Sequence, residues 1–268
     1  MANGAALDFA RAAELLTDTA ARAGAAIMEH YRRGAAVTLK DDASPVTLAD
    51  KDSEAIILES LMRLAPEIPV VSEEDAAKPD TVGNRFFLVD PLDGTKEFIK
   101  KRSDFTVNIA LIEQGRPSFG LVYAPARSLL AVTTAPGEAI EAALSPSAAG
   151  TDLAHLKQKR LAVRAADPNG LTALVSLSHL DPETEAFLAK LKIAKRSGAG
   201  SSVKFLEIAR GEADVYPRFG PTMEWDTAAG QAVLEASGGK VVTADGDPLR
   251  YGKTESGLRN PSFIAWGR

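Results

Sequence analysis

Apolar residues recur at helical spacing from residue 7 to residue 33, at Leu7, Ala10, Leu15, Ala23, Ile27 and Tyr31, with charged residues between them. The pattern predicts one long amphipathic helix that stops near Gly34. Residues 47–65 predict a second helix. Thr47 can cap it, Asp50 stands at the third helical position as in a capping box, and Ile56, Ile57, Leu61 and Leu64 supply an apolar face. The period then changes. IPVVS (68–72) and RFFLVD (85–90) are short apolar runs ending in polar residues, and both read as strands. Residues 105–125 read as a hairpin turning at Gln114-Gly115-Arg116-Pro117, and 129–137 as a further strand and turn.

The stretch 141–156 is small, polar and turn-rich. It is the candidate boundary between an N-terminal α+β half (1–150) and a C-terminal α/β half (151–268). Beyond it, 161–165, 173–178 and 213–219 predict strands. Asp181-Pro182 opens a helix with a cap and a proline at its first position. Residues 204–210 form a short helix, and 225–237 another that ends at Gly238-Gly239. Strands alternating with helices predict a layered α/β architecture.

Composition narrows the chemistry. The 268 residues allow one large or two modest domains. The net charge of −5 advertises no nucleic-acid polymer or membrane surface, so a phosphorylated ligand needs local counter-charge. With no cysteine, thiolate catalysis, disulfides and Zn–Cys sites are excluded. No uncharged apolar run is long enough to span a bilayer. These features predict a cytoplasmic protein.

The candidate chemistry starts at FFLVDPLDGTK (86–96), where an apolar run meets Asp90, Pro91, Leu92, Asp93, Gly94 and Thr95. Residues i and i+3 of a straight strand do not share a face, so the two carboxylates converge only if the chain bends. Pro91 and Gly94 allow a bend, and on these letters alone the stretch reads equally as an ordinary turn. A converged pair with the Leu92 carbonyl between them would suit a hard cation, above all Mg²⁺. Two further stretches share this character. VVSEED (70–75) is an apolar run meeting Glu73, Glu74 and Asp75, and GPTMEWDTAAG (220–230) places Asp226 at a predicted helix start. Taken singly, Asp226 reads as an N-cap, Glu73 as solvated surface and Asp50 as a capping residue.

Taken in order, Glu73-Glu74, Asp90-Pro91-Leu92-Asp93-Gly94-Thr95 and Trp225-Asp226-Thr227-Ala228-Ala229-Gly230, with Val46-Thr47-Leu48-Ala49-Asp50 ahead of them, resemble the inositol monophosphatase superfamily over essentially the whole chain. Lys96-Glu97-Phe98, Gly200-Ser201-Ser202-Val203-Lys204-Phe205 and Tyr216-Pro217-Arg218-Phe219-Gly220-Pro221-Thr222 resemble its 3'(2'),5'-bisphosphate nucleotidases of the bacterial CysQ type. Gly198-Ala199-Gly200, ahead of the serines, departs from that pattern.

The resemblance implies a sugar-phosphatase fold, an α-β-α-β-α sandwich. It implies a lithium-sensitive phosphomonoesterase holding two or three Mg²⁺ ions that hydrolyses the 3'-phosphate of adenosine 3',5'-bisphosphate by metal-activated water. Glu73, Asp90 and the Leu92 carbonyl would hold one ion, and Asp90, Asp93 and Asp226 another. Glu73 and Thr95 would activate the water, with Asp50 supporting the threonine. The amides of Gly94 and Thr95 would bind phosphate. Ser201, Ser202, Lys204 and Arg218 would contact the nucleotide, the last two as counter-charge. The partner implied is a small phosphorylated nucleotide. No protein partner is evident, and the resemblance allows a peripheral association with the inner membrane.

Three alternatives stand beside this reading. The chain could prefer inositol 1-phosphate or a sugar phosphate, or it could bind metal or nucleotide without catalysis. The haloacid-dehalogenase motif D-x-D-G-T differs by one residue from the D-x-x-D-G-T here, which changes which carboxylates share a face. Ser201 lies in GAGSS rather than G-x-S-x-G, no H-E-x-x-H occurs, and His30, His155 and His179 form no pattern.

Overall fold

The computed structural model describes residues 6–34, 37–39, 45–74, 81–147, 150–176 and 181–268. Asp75, His179 and the end of the strand expected at 173–178 lie outside them. Helix α1 spans Phe9–Arg33, with Asp8 as its cap and Gly34 closing it at φ +82°. Strands β1 (Val37–Leu39) and β2 (Pro45–Thr47) pair antiparallel, and Thr47 turns directly into α2 (Leu48–Leu64). The expected capping box forms there. The Asp50 carboxylate accepts from the Thr47 N–H at 2.8 Å, while the Thr47 hydroxyl accepts from the Ala49 N–H at 3.1 Å.

A seven-stranded sheet follows, built from β3 (Val70–Ser72), β4 (Arg85–Asp93), β5 (Thr106–Glu113), β6 (Arg116–Ala124), β7 (Leu129–Ala135), β8 (Glu138–Ala143) and β9 (Gln158–Arg160) in that order. The short helix α3 (Thr95–Ile99) sits between β4 and β5. The hairpin expected at 105–125 is β5–β6, turning at Gln114 and Gly115 with φ of +51° and +72°. Both central residues lie in the left-handed region, as a tight hairpin of this twist requires.

A five-stranded sheet completes the chain. It runs in the order β11 (Ile193–Ala199), β10 (Leu171–Ser176), β12 (Val215–Arg218), β14 (Phe263–Trp266), β13 (Lys240–Thr243). Helices α4 (Pro182–Leu188), α5 (Val203–Ala209) and α6 (Ala228–Ala236) lie between these strands in sequence.

The layers explain the unbroken apolar runs. Along β4, Phe87 and Val89 pack with α1 and α2, while Phe86 and Leu88 pack toward α5 and α6. Both faces of the sheet are covered, so both alternating sets are apolar. The second sheet repeats the arrangement. Phe263 and Ala265 face α5 and α6, and Ile264 joins Leu188 of α4 on the far side. The order α1/α2, sheet, α5/α6, sheet, α4 is the α-β-α-β-α sandwich.

Residues 161–165 are not the expected strand. The Leu161 N–H donates to the Ala139 carbonyl on β8, and the Val163 N–H to the Ser237 carbonyl at the end of α6. The segment meets a different partner at each bond as it crosses between layers, so no ladder forms. Among the described residues, no helix is long and apolar enough to cross a membrane.

Candidate active site

The two aspartates converge through a β-bulge rather than a turn beyond the strand. Strand β4 was expected to end at Asp90, but it continues to Asp93 with its register shifted between them. Asp90 pairs with Asn108, and Asp93 with Thr106. Two residues of β4, Pro91 and Leu92, thus oppose the single residue Val107 of β5. Thr106 and Asn108 are two apart and share a face, so the extra residue places Asp90 and Asp93 on one face too. The bulge is braced from both sides. The Leu92 N–H donates to Asp90 Oδ1 at 3.0 Å, and the Ser53 hydroxyl of α2 donates to the Pro91 carbonyl at 2.8 Å. Proline lacks an N–H to lose from the ladder, and it fits a bulge for that reason.

Other elements bring the remaining acids to this point. β3 runs parallel to β4, and the Glu73 N–H at its end donates to the Val89 carbonyl at 3.0 Å, which sets Glu73 beside Asp90. Asp226 precedes α6 but does not cap it. Thr227 holds the cap position, and the Asp226 carboxylate turns back to accept from the Met223 N–H at 2.8 Å. Asp90, Asp93 and Asp226 each offer an oxygen within 4.8 Å of the others. Asp90 is fully buried, and Asp93 and Asp226 half-buried.

Burial raises the Asp90 carboxyl well above its ordinary range, and the charges of Glu73, Asp93 and Asp226 push the same way. Burial also raises Asp226 well above that range, followed by the charge of Asp93 and, more weakly, Glu73, against the Met223 N–H. Asp93 is raised by burial, opposed by the Ser201 hydroxyl, the Lys204 charge and the Ser202 N–H. Buried carboxylates that repel one another are held together at a cost that a bound cation offsets. An oxygen-only donor set with no cysteine or histidine among it suits a hard divalent ion, so these residues fit a metal of the Mg²⁺ kind.

Thr95 opens α3 after Gly94, which adopts φ +90° and lies so close to the Asp104 carbonyl that a Cβ would stand 2.8 Å from it. The Thr95 hydroxyl lies 3.3 Å from the Leu92 carbonyl and 3.5 Å from Asp50 Oδ1. Asp50 itself is raised to about 6, chiefly by burial and also by Glu74 and Glu73, against the hydrogen bonds from Thr47.

From the second half, the Ser201 hydroxyl donates to Asp93 Oδ2 at 2.5 Å and the Ser202 N–H to the same oxygen at 2.8 Å. Lys204 is buried, and its Nζ donates to the carbonyls of Ala199 and Ser201 at 3.1 and 2.7 Å. Burial lowers it to about 8, with Asp93 opposing the fall. The Arg218 guanidinium donates to the Gly220 and Pro221 carbonyls at 3.2 and 2.9 Å. Lys204 and Arg218 therefore brace their own loops, while Ser201 and Ser202 bond across to Asp93 on β4.

Sequence reasoning passed over the buried polar support beneath the cluster. The Ser202 hydroxyl bonds Asn108 Oδ1 and the Thr106 hydroxyl, both at 2.7 Å. The signal was present in FTVNIALIE, where Thr106 and Asn108 are the two polar positions of one face in an otherwise apolar strand. Also missed was Glu224, fully buried two residues before Asp226. It accepts from the N–H groups of Gly252 and Lys253 at 2.6 and 3.0 Å and from Lys253 Nζ at 2.6 Å. Two histidines lie in surface pairs, His30 with Asp52 and His155 with Asp152.

The chain is 44% identical over 248 residues to a 3'(2'),5'-bisphosphate nucleotidase CysQ from Shigella flexneri, covering 91% of this chain and 95% of that protein. It is 43% identical, with the same coverage, to the protein of that name from Escherichia coli K12. A crystal structure of CysQ from Bacteroides thetaiotaomicron, described as a bacterial member of the inositol monophosphatase family, superposes with a TM-score of 0.79 at 36% identity, over 98% of this chain and 99% of that one. The sequence profile of the inositol monophosphatase family matches residues 9–265, from the first residue of α1 into β14, and the chain belongs to that family.

Proposed function

We propose that this protein is a Mg²⁺-dependent phosphomonoesterase that removes the 3'-phosphate of adenosine 3',5'-bisphosphate, yielding AMP and phosphate. The observation that carries the reading is the convergence of Asp90, Asp93 and Asp226, with Glu73 beside them, in a chain 44% identical to a bisphosphate nucleotidase. The family is metal-dependent. The assignment of Mg²⁺, of two or three ions and of inhibition by Li⁺ belongs to this proposal.

Glu73, Asp90 and the Leu92 carbonyl would hold one ion, and Asp90, Asp93 and Asp226 the other. When bound, the cations supply Lewis acidity to the phosphoryl oxygens and lower the pKa of water. The protein's part is to hold charge and move a proton. Asp50, with a pKa of about 6, is mostly ionised at neutral pH, and its Oδ1 can accept the Thr95 hydroxyl proton. That leaves the Thr95 oxygen free to accept from attacking water, with Glu73 as the second acceptor. The N–H groups of Gly94 and Thr95 would bind the phosphate oxygens. Residues 1–150 thus carry most of the ligands. Residues 151–268 bring Asp226 with Ser201, Ser202, Lys204 and Arg218, whose two cations supply the counter-charge for the 5'-phosphate in an acidic chain. A place in the cytoplasm goes with this reading.

The test is phosphate release from adenosine 3',5'-bisphosphate and from inositol 1-phosphate side by side, with Mg²⁺ and then with added Li⁺. The expected result is a clear preference for the nucleotide and loss of activity with Li⁺. A preference for inositol phosphate would overturn the substrate, and no release from either would overturn the enzyme.

A further inference from the structure

Asp93 owes its position to a loop from the other half of the chain. Residues 198–202 approach it with Ser201, which adopts φ +53° although it is not glycine, so the loop holds a conformation it would not choose alone. Something must fix it, and the structure shows what does. Lys204 ties the loop's carbonyls from one side. On the other side lies Asp104, 6% exposed at the entrance to β5. Its Oδ2 accepts from the Gly200 N–H at 3.0 Å. The contact is close. A Cβ on Gly200 would stand 2.9 Å from both Asp104 Cβ and Glu97 Cγ. The Asp104 carbonyl also abuts Gly94, as described above, so one residue touches both the turn after Asp93 and the loop that bonds it.

Asp104 is in turn held by Arg127, at the end of the turn after β6. The Arg127 Nε lies 3.1 Å from Asp104 Oδ1, and Nη2 bonds the same oxygen. Arg127 Nη1 reaches Glu207 on α5 at 3.2 Å. The guanidinium therefore joins the sheet carrying Asp93 to the helix that follows the loop, and it leaves Asp104 Oδ2 for Gly200.

We propose that Asp104, clamped by Arg127, is a positioning residue: it seats Gly200 so that Ser201 and Ser202 fix Asp93, and so sets the geometry of the metal-binding cluster. The inference rests on the reading of Asp93 as a metal ligand. Groups that orient metal ligands commonly change metal affinity about 10- to 100-fold when removed.

The test is Mn²⁺ binding followed by electron paramagnetic resonance on Asp104→Ala, Arg127→Met and the double variant, beside their thermal melts. Mn²⁺ suits the same oxygen ligands and needs no substrate. Each single variant should bind Mn²⁺ about tenfold more weakly or worse, and the double variant no more weakly than the weaker single, because both act through one contact. If Asp104→Ala fails to fold, Arg127→Met carries the test, since its side chain is 30% exposed. Parent-like Mn²⁺ affinity in a cooperatively melting variant overturns the proposal. A parent protein that releases no phosphate while the variants still lose Mn²⁺ affinity overturns the enzymatic reading and leaves this one standing.

Discussion

Gly120 on β6 couples the core to the candidate site, and replacing it with alanine tests that coupling. Helix α6 lies directly against it. A Cβ at position 120 would stand 2.5 Å from the Ala229 carbonyl oxygen and 2.7 Å from Ala232 Cβ. Ordinary contact begins at 3.4 Å, so along the closer approach the helix must withdraw by about 0.9 Å, the difference from 2.5 Å. The obstacle is helix backbone, which cannot rotate aside as a side chain can. Overpacking of this kind costs about 1–3 kcal/mol. Against that, alanine in a strand is favoured over glycine by roughly 0.5–1 kcal/mol.

With the clash at the upper end, the net loss is about 2 kcal/mol, which for a chain of this size lowers Tm by roughly 4–8 °C. The same movement reaches the chemistry, because Asp226 stands two residues before α6. Metal ligands tolerate displacements of only about 0.2 Å, and misplacement by about 1 Å can cost on the order of 10²-fold in rate. Calorimetric melting and phosphate release from adenosine 3',5'-bisphosphate measure the two effects. Gly120→Ala should lose stability by the amount given, and kcat/KM should fall about 10- to 100-fold. Gly83→Ala, where a Cβ meets nothing within 4 Å and φ is not positive, should stay within about 0.5 kcal/mol of the parent. A Gly120→Ala protein with the parent's Tm refutes the packing argument. One that melts early but keeps its kcat/KM refutes the link from helix position to site.

The acidic cluster and its neighbours lead to two more expectations. Asp90 and Asp226 have folded pKa values well above the unfolded 3.8, so their contribution to stability is fully present below that pH and is lost as pH rises through the folded values. In EDTA the Tm should therefore fall between pH 5 and pH 8, while Mg²⁺, which binds the ionised form, should raise Tm more at pH 8 than at pH 5; equal gains at both would argue against the cluster as the metal site. Glu224→Ala leaves Lys253 and two N–H groups without their buried acceptor, and should cost about 3–5 kcal/mol in urea unfolding, with a loss under 1 kcal/mol showing that the network is dispensable.

Local signals carried far where the governing interactions are local. The Thr47–Asp50 capping box, the long first helix and the Gln114-Gly115 turn each depend on residues a few positions apart, and each formed as expected. Strands whose pairing decides their state were not legible. EAIEAA (138–143) is rich in alanine and glutamate, yet forms β8 because it closes against β7 and carries β9. IAKRSGA (193–199) alternates little and is largely exposed, and it becomes β11 at a sheet edge. At the site, the ordered acidic motifs pointed to the cluster. Asp104 and Arg127 stayed hidden because neither sits in a motif and they meet only in space, 23 residues apart.

The bulge at Pro91–Leu92 also sets the backbone between the two acids. In an unbulged strand a residue three positions on from Asp90 would fall on the opposite side, in the apolar layer under α1 and α2. The bulge cancels that reversal and turns both carboxylates toward α5 and α6. Removing one of the two intervening residues would keep the shared side, as at Thr106 and Asn108, but would erase the bulge. What the extra residue adds is therefore backbone: two carbonyls stand between the carboxylates instead of one, so that Pro91 can be anchored to Ser53 while the Leu92 carbonyl stays beside the acids.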